Sequence, residues 1–180
     1  DSRVQLYAEN AVNKHMDTLQ QIFDTHLDGD EPWINEDGKV LEDFIENETK
    51  RLTYYKDLVR AYGDESDSVS YYLNRPKSMK VFSWQGEIDT LMSTVDSLRY
   101  YKHFLQAGFM VMEPKTGHIK AWVGGINHKY FKYDHVYYGK RQPGSTFKPI
   151  VYTAAIDNGY SPCQTAVDAA VTYTFPGQDP

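Results

Sequence analysis

Apolar residues return every three or four positions at the start of the chain: Val4, Ala8, Ala11 and Val12, Met16, Leu19, Ile22 and Phe23, then Leu27. That period places them on one stripe and predicts a helix over residues 1–27, stopped by Asp28-Gly29-Asp30-Glu31-Pro32. Residues 31–39 form a polar loop around Trp33, with Asp37-Gly38 as a turn. Helical spacing resumes from Leu41 to Tyr62 through Phe44, Ile45, Leu52, Tyr55, Leu58 and Val59, and Gly63 supplies the stop. Ser66 then caps a short helix that closes at Arg75-Pro76.

The period changes from here. Met79 to Trp84 and Glu87 to Met92 flank Gln85-Gly86, which predicts a small hairpin. Ser93-Thr94-Val95-Asp96 reads as a capping box with Asp in place of Glu, opening a helix that carries Val95, Leu98, Tyr101 or Lys102, and Leu105. Gly108 separates it from a strand over 109–113. Pro114 to Gly117 turns the chain, and 118–124 returns antiparallel with Ile119, Ala121 and Val123 on one face. Residues 125–144 have no periodicity and are dense in Tyr, Phe, His, Lys and Asp; a loop this long is usually functional or poorly ordered. A last helix runs from Ser145 to the stop Asn158-Gly159. Val171-Thr172-Tyr173-Thr174 has the composition of a strand. The pattern as a whole is α+β: a helical N-terminal region with a small hairpin over 1–92, then a helix, an antiparallel strand pair and a serine-bearing helix over 93–180.

Composition narrows the function. Hydrophobic residues make up 41% of the 180, enough for a packed core, while 19 basic against 25 acidic side chains leave a net charge of −6 and no general basic surface for nucleic acid. No apolar run approaches the roughly 18 to 20 residues that span a bilayer. A basic-then-apolar leader is also missing, so any signal segment is expected to lie elsewhere in the gene or to be removed. The single cysteine, Cys163, cannot form an internal disulfide. The 15 tyrosines include four adjacent pairs, at 54–55, 71–72, 100–101 and 137–138, which would put one ring inward and one at the rim of a regular segment.

One stretch carries chemistry. In Arg141-Gln142-Pro143-Gly144-Ser145-Thr146-Phe147-Lys148-Pro149 a serine follows a Pro-Gly turn, and a lysine comes three residues later on the same helical face. A serine hydroxyl needs a neighbouring base, and a lysine serves when desolvation or another cation holds it neutral. The helix start adds backbone N–H groups for a developing oxyanion. Taken alone, a Ser-x-x-Lys pattern is far more often an N-cap with an exposed first-turn lysine. His128, Asp134 and His135 have neither helix-face nor strand spacing, so no metal is expected. An Asp134-His135-Ser145 relay is possible on residue types, but Lys148 makes it unnecessary. The acidic run from Glu31 to Glu48 lacks the spacing of a calcium loop, and Asn47-Glu48-Thr49 falls inside a helix, where a glycosylation acceptor is discounted.

The run RQPGSTFKP and the following Ile150 to Ile156 resemble the active-site serine box of penicillin-binding proteins, above all the bifunctional class A peptidoglycan synthases. The resemblance extends upstream through Gly108 to Gly117 and His118 to Gly125; it is clear from about Met79 to Cys163 and faint before that. It implies that 93–180 begin a penicillin-binding transpeptidase domain, incomplete here, and that 1–92 are a linker-like region before it. It further implies Ser145 as nucleophile, Lys148 as base, peptidoglycan stem peptides as substrate and β-lactam antibiotics as trapping agents, with no cofactor. The site would be the bacterial periplasm, with inner-membrane anchoring and a glycosyltransferase half in other segments of the parent, and cell-wall proteins as possible partners. The family's later Ser-x-Asn and Lys-Thr-Gly boxes do not follow Lys148, so the gene is expected to continue past Pro180 and supply them, and this segment alone is expected to be inactive. Lys115-Thr116-Gly117 mimics the second box but reads as a hairpin turn, and Tyr72-Leu73-Asn74 lies in a helical stretch. Two alternatives remain: a serine β-lactamase-like hydrolase, which shares Ser-x-x-Lys, and a non-catalytic cell-wall interaction module using the helices of residues 1–74.

Overall fold

A computed structural model describes residues 1–35, 37–165 and 168–169. The chain divides into two units, Asp1–Gly139 and Lys140–Pro180. The architecture is α+β, with six α-helices and two separate two-stranded antiparallel sheets among the described residues.

In the first unit, α1 spans Ser2–Leu27, capped by Asp1 Oδ1 accepting from Arg3 N–H and Val4 N–H, and it ends at Asp28 in the left-handed conformation. The predicted stripe is the buried one, through Ala8 and Met16, except that Ala11 and Ile22 face solvent. Two sheets meet this helix. β3 (Phe109–Met112) and β4 (Ile119–Val123) pair with Met110 opposite Trp122, and Ala8 packs on Ala121 and Val123 with Val4, Val12 and Val111 around them. Gln5 extends that hairpin at its free edge: its amide donates to Trp122 O at 2.9 Å while its oxygen accepts from Trp122 N–H at 2.7 Å, as a neighbouring strand would.

β1 (Lys77–Ser83) and β2 (Gly86–Met92) form the other hairpin, Val81 facing Ile88. The connection is Trp84-Gln85, one residue earlier than predicted, because Gly86 at φ 120° is already the first paired residue of β2. Phe82 packs with Met16 and Ile126 in an aromatic cluster that includes Trp84, Tyr101, Phe104 and Phe131. α5 (Thr94–Lys102) starts in the predicted capping box: Asp96 N–H donates to Ser93 Oγ at 3.0 Å, and Ser93 N–H donates to Asp96 Oδ2 at 3.1 Å. It stops at Lys102, so Leu105 lies beyond it. Gln20 fixes the segment after α5, its amide donating to His103 O at 3.0 Å and its oxygen accepting from Leu105 N–H at 2.8 Å.

The helix predicted over 41–62 is two helices, α2 (Phe44–Arg51) and α3 (Thr53–Tyr62). Leu52 between them is extended at ψ 138°, and Thr49, buried, turns its hydroxyl onto Ile45 O at 2.7 Å. Such back-bonding bends helices, and no Gly or Pro announces it. α4 (Asp67–Asn74) follows its Ser66 cap as expected and contains Tyr72-Leu73-Asn74. Leu58, Val69 and Leu73 make the third apolar cluster with Tyr55, Tyr72 and Val95. Tyr55 and Tyr72 turn inward while Tyr54 and Tyr71 face solvent, but Tyr100 and Tyr101 are both half-buried and Tyr137 and Tyr138 both exposed.

The second unit contains a 3-10 turn (Gly144–Phe147) leading directly into α6 (Lys148–Asp157). Gly159 at φ 88° ends the helical path as predicted. The strand expected at 171–174 lies outside the described residues. No described helix is long and apolar enough to cross a membrane.

Candidate active site

The serine box owes its shape to its own residues. Pro143 sets a helical φ of −66°, and Gly144 takes φ +51°, a conformation that strains other residues. The turn closes with Thr146 N–H donating to Pro143 O at 3.1 Å, and the Thr146 hydroxyl donates to the same oxygen. Lys148 N–H donates to Ser145 O, which carries the 3-10 turn into α6. Pro149 falls in the first turn of α6, where its missing N–H has no helical acceptor to lose. Thr153 Oγ donates to Pro149 O at 2.7 Å one turn on.

Ser145 and Lys148 therefore sit three residues apart across the junction of a 3-10 turn and an α-helix, both exposed. Among the described residues, no hydrogen bond joins the two side chains. What the arrangement offers is a hydroxyl on a tight turn, a primary amine one turn away and the N–H groups of a helix start. The neighbouring apolar side chains of α6 are open as well: Ile150, Tyr152 and Ile156 are each more than half exposed.

The other sequence candidates fall in the first unit. Asp134 accepts from Trp122 Nε1 at 2.8 Å and from Val136 N–H and Tyr137 N–H at 2.9 and 3.0 Å. Burial opposes its charge, but the bonds from Trp122, Tyr137 and Val136 outweigh that and hold its pKa below the usual carboxylate range. His135 N–H donates to Gly124 O at 2.7 Å, and its ring meets Tyr133 edge-on. Among the described residues, no group of three or more His, Cys, Asp or Glu side chains could hold a metal. Lys115-Thr116-Gly117 is the β3–β4 turn, closed by Gly117 N–H donating to Glu113 O at 2.9 Å, with Gly117 at φ 73°. A cavity of about 540 Å³ opens between α1, the end of β4 and the 125–134 loop, with Glu9, Asn13, Asn127, His128 and Asp134 on its wall.

Sequence reasoning missed the structural amides Gln5 and Gln20 and the binding of Asp134 to Trp122. Gln20 did leave a signal: it follows Met16 by one helical step, on the apolar stripe, where a polar residue needs buried partners.

Comparison with known proteins gives the context. Residues 28–105 match the penicillin-binding protein middle domain, and residues 107–177 match the penicillin binding protein transpeptidase domain. Penicillin-binding protein 1A of Pseudomonas aeruginosa is 38% identical over 68 residues, which is 38% of this chain and 8% of that protein. Penicillin-binding protein 2D of Bacillus subtilis is 41% identical over 98 residues, 54% of this chain and 13% of the relative. Penicillin-binding protein 1A of Rickettsia conorii is 42% identical over 97 residues, 53% and 12% of the two chains. The chain thus spans about a tenth of the length of the curated relatives it matches. No solved structure matches it. The two domain matches follow one another along the sequence and take in the hairpin, the aperiodic loop and the serine box; the chain belongs to the penicillin-binding proteins, running from their middle domain into their transpeptidase domain.

Proposed function

We propose that this chain is part of a class A peptidoglycan synthase, that Ser145 is the nucleophile of its D-Ala-D-Ala transpeptidase, and that Lys148 is the base. The observation that carries the reading is the run Arg141 to Pro149, folded as a glycine-opened 3-10 turn into α6, inside the stretch that matches the transpeptidase domain. The relatives named penicillin-binding protein 1A support the class.

In the intact enzyme the Ser145 hydroxyl attacks the carbonyl of the penultimate D-Ala of a stem peptide as Lys148 takes its proton. The peptide C–N bond breaks, the terminal D-Ala leaves with a proton, and an ester joins Ser145 to the peptide. An amine from a neighbouring strand then attacks that ester, forms the cross-link and restores the hydroxyl. A β-lactam acylates the same oxygen by opening its ring. The residues from about 107 onward begin this domain, and those before them join it to segments that carry a glycosyltransferase and an inner-membrane anchor. The reaction takes place in the periplasm.

The test is labelled penicillin on the full-length protein. Wild type should carry one label on Ser145, Ser145→Ala none, and Lys148→Ala should label at least about 100-fold more slowly. A Ser145→Ala protein that labels like wild type would remove Ser145 from the mechanism. Rapid hydrolysis of the adduct would favour a β-lactamase, and a folded wild type that takes no label would favour a non-catalytic module.

A further inference from the structure

The serine and the lysine of the box are linked through the backbone: Lys148 N–H donates to Ser145 O, three residues back. Bonds of that step define a 3-10 helix, which turns once every three residues, whereas an α-helix bonds four residues back and turns every 3.6. The winding changes at this bond. Phe147 keeps the shallow ψ of a 3-10 turn, −18°, while Lys148 has φ −55° and ψ −41°, the values of an α-helix.

Entry to the turn is fixed from within. The Thr146 N–H and hydroxyl both donate to Pro143 O. Gly144 takes its positive φ with nothing within 4 Å of where a Cβ would stand, so conformation rather than crowding calls for the glycine. Exit is fixed by a missing atom. The carbonyl four residues before 149 is Ser145 O, which lies outside α6 in the 3-10 turn. Any residue but proline at 149 would present an N–H to that oxygen and carry α-helical bonding back through the serine. Pro149 has no N–H, so Ser145 O keeps the three-residue bond from Lys148.

The two windings aim the lysine differently. In a 3-10 turn the side chains of residues i and i+3 eclipse, whereas in an α-helix the second is rotated by about 60° around the axis. Ser145 and Lys148 stand at i and i+3. We propose that Pro149 is a positioning residue for the acylation of Ser145: by withholding an N–H from Ser145 O it keeps the 3-10 step and holds the Lys148 stem in line with Ser145. This role rests on Ser145 and Lys148 being nucleophile and base. Pro149 has no proton to exchange and acts through the lysine. A base turned away from its nucleophile slows the reaction steeply, because proton transfer needs both groups within hydrogen-bond reach.

The experiment follows acylation of Ser145 by labelled penicillin in the full-length protein. Pro149→Ala supplies the N–H and should acylate about tenfold more slowly, with full final stoichiometry on Ser145 and a thermal midpoint near wild type. Lactic acid built in at position 149 is alanine with an ester oxygen in place of its N–H, and it should restore the wild-type rate. In a Lys148→Ala background, Pro149→Ala should leave the residual rate unchanged, because both act through one side chain. A Pro149→Ala protein that acylates at the wild-type rate overturns the proposal while leaving Ser145 as nucleophile. A lactic acid variant as slow as Pro149→Ala also overturns it, since the loss then belongs to the ring and not to the N–H. So does a loss as large in the Lys148→Ala background as in wild type, which would place the effect away from the lysine. A wild-type protein with no adduct on Ser145 overturns the nucleophile assignment, and the role of Pro149 with it.

Discussion

α1 and α6 both carry apolar side chains at helical spacing, yet they meet their surroundings differently. α1 turns one stripe of apolar residues inward and buries Ala8 and Met16 beneath the two hairpins, with Leu6, Tyr7 and Ile22 left exposed elsewhere on it. α6 has Ile150, Val151, Tyr152 and Ile156 spread around its axis, and all four are at least half exposed; Ala155 alone among its residues is half-buried. An amphipathic helix is finished once one face is covered, whereas a helix apolar on most sides is made to lie inside a larger body. The first unit holds both halves of its packing problem. In α6 only one half is visible among the described residues, and it is the half that bears the serine box.

The largest expected consequence is chemical. The chain of 180 residues by itself should form no stable adduct when incubated with a β-lactam, while the full-length protein does. Acylation needs nucleophile, base and oxyanion donors held together in a dry site. Mass spectrometry of the purified chain decides it. A stoichiometric adduct on Ser145 would show that α6 needs no further cover, and the contrast with α1 would fall.

The same contrast should be visible in hydrogen exchange of the isolated chain. Amides of α1 around Ala8 and Met16 should be protected at least about 1000-fold more than those of α6, since local opening costs little where few apolar contacts hold a helix. Equal protection of the two helices would mean that α6 is stabilised from within.

Within the first unit the comparison is sharpened by Gln20. Gln20→Ala leaves Leu105 N–H and one acceptor, His103 O, without their buried partner, at a cost of about 2 kcal/mol in urea unfolding. A change below about 0.5 kcal/mol would place those bonds in contact with water. The smallest effect belongs to Asp96. Its pKa is held below the ordinary carboxylate value by the Ser93 hydroxyl first and the Ser93 N–H second. The charged form is thus favoured in the folded state: its stabilisation is complete above the unfolded value near pH 4 and is lost as pH falls through the lower folded value. Asp96→Asn should be less stable than wild type at pH 7 and should lose that difference as the pH falls below the ordinary carboxylate range. A gap in unfolding midpoint that does not change with pH would assign the cap to shape rather than charge.

Elements with local signatures were legible in the sequence. Ser66, the Ser93–Asp96 box, the Pro114–Gly117 turn and Asn158-Gly159 each act through bonds to residues a few positions away, so the information lies beside them. The break at Leu52 was not legible: no breaker residue is present, and the apolar period runs straight through it. Trp122 and Asp134 could not be paired either, because nothing in residues 125–144 repeats and the partner of the carboxylate stands on the preceding strand. The serine box was visible as a string of residue types. Its 3-10 entry was not, since it depends on Gly144 taking a positive φ, which a glycine permits without announcing.

All three tryptophans, Trp33, Trp84 and Trp122, belong to residues 1–139. Trp33 stacks on Phe44 with ring centroids 5.1 Å apart, Trp84 stands at the tip of the β1–β2 hairpin, and Trp122 leans on Asp134. The tryptophan fluorescence of this chain is therefore emitted by one unit alone. A melting curve followed at tryptophan emission would trace the helices and hairpins around α1. A dye that reports on the second unit can be carried by Cys163, the chain's one cysteine, exposed six residues past the end of α6.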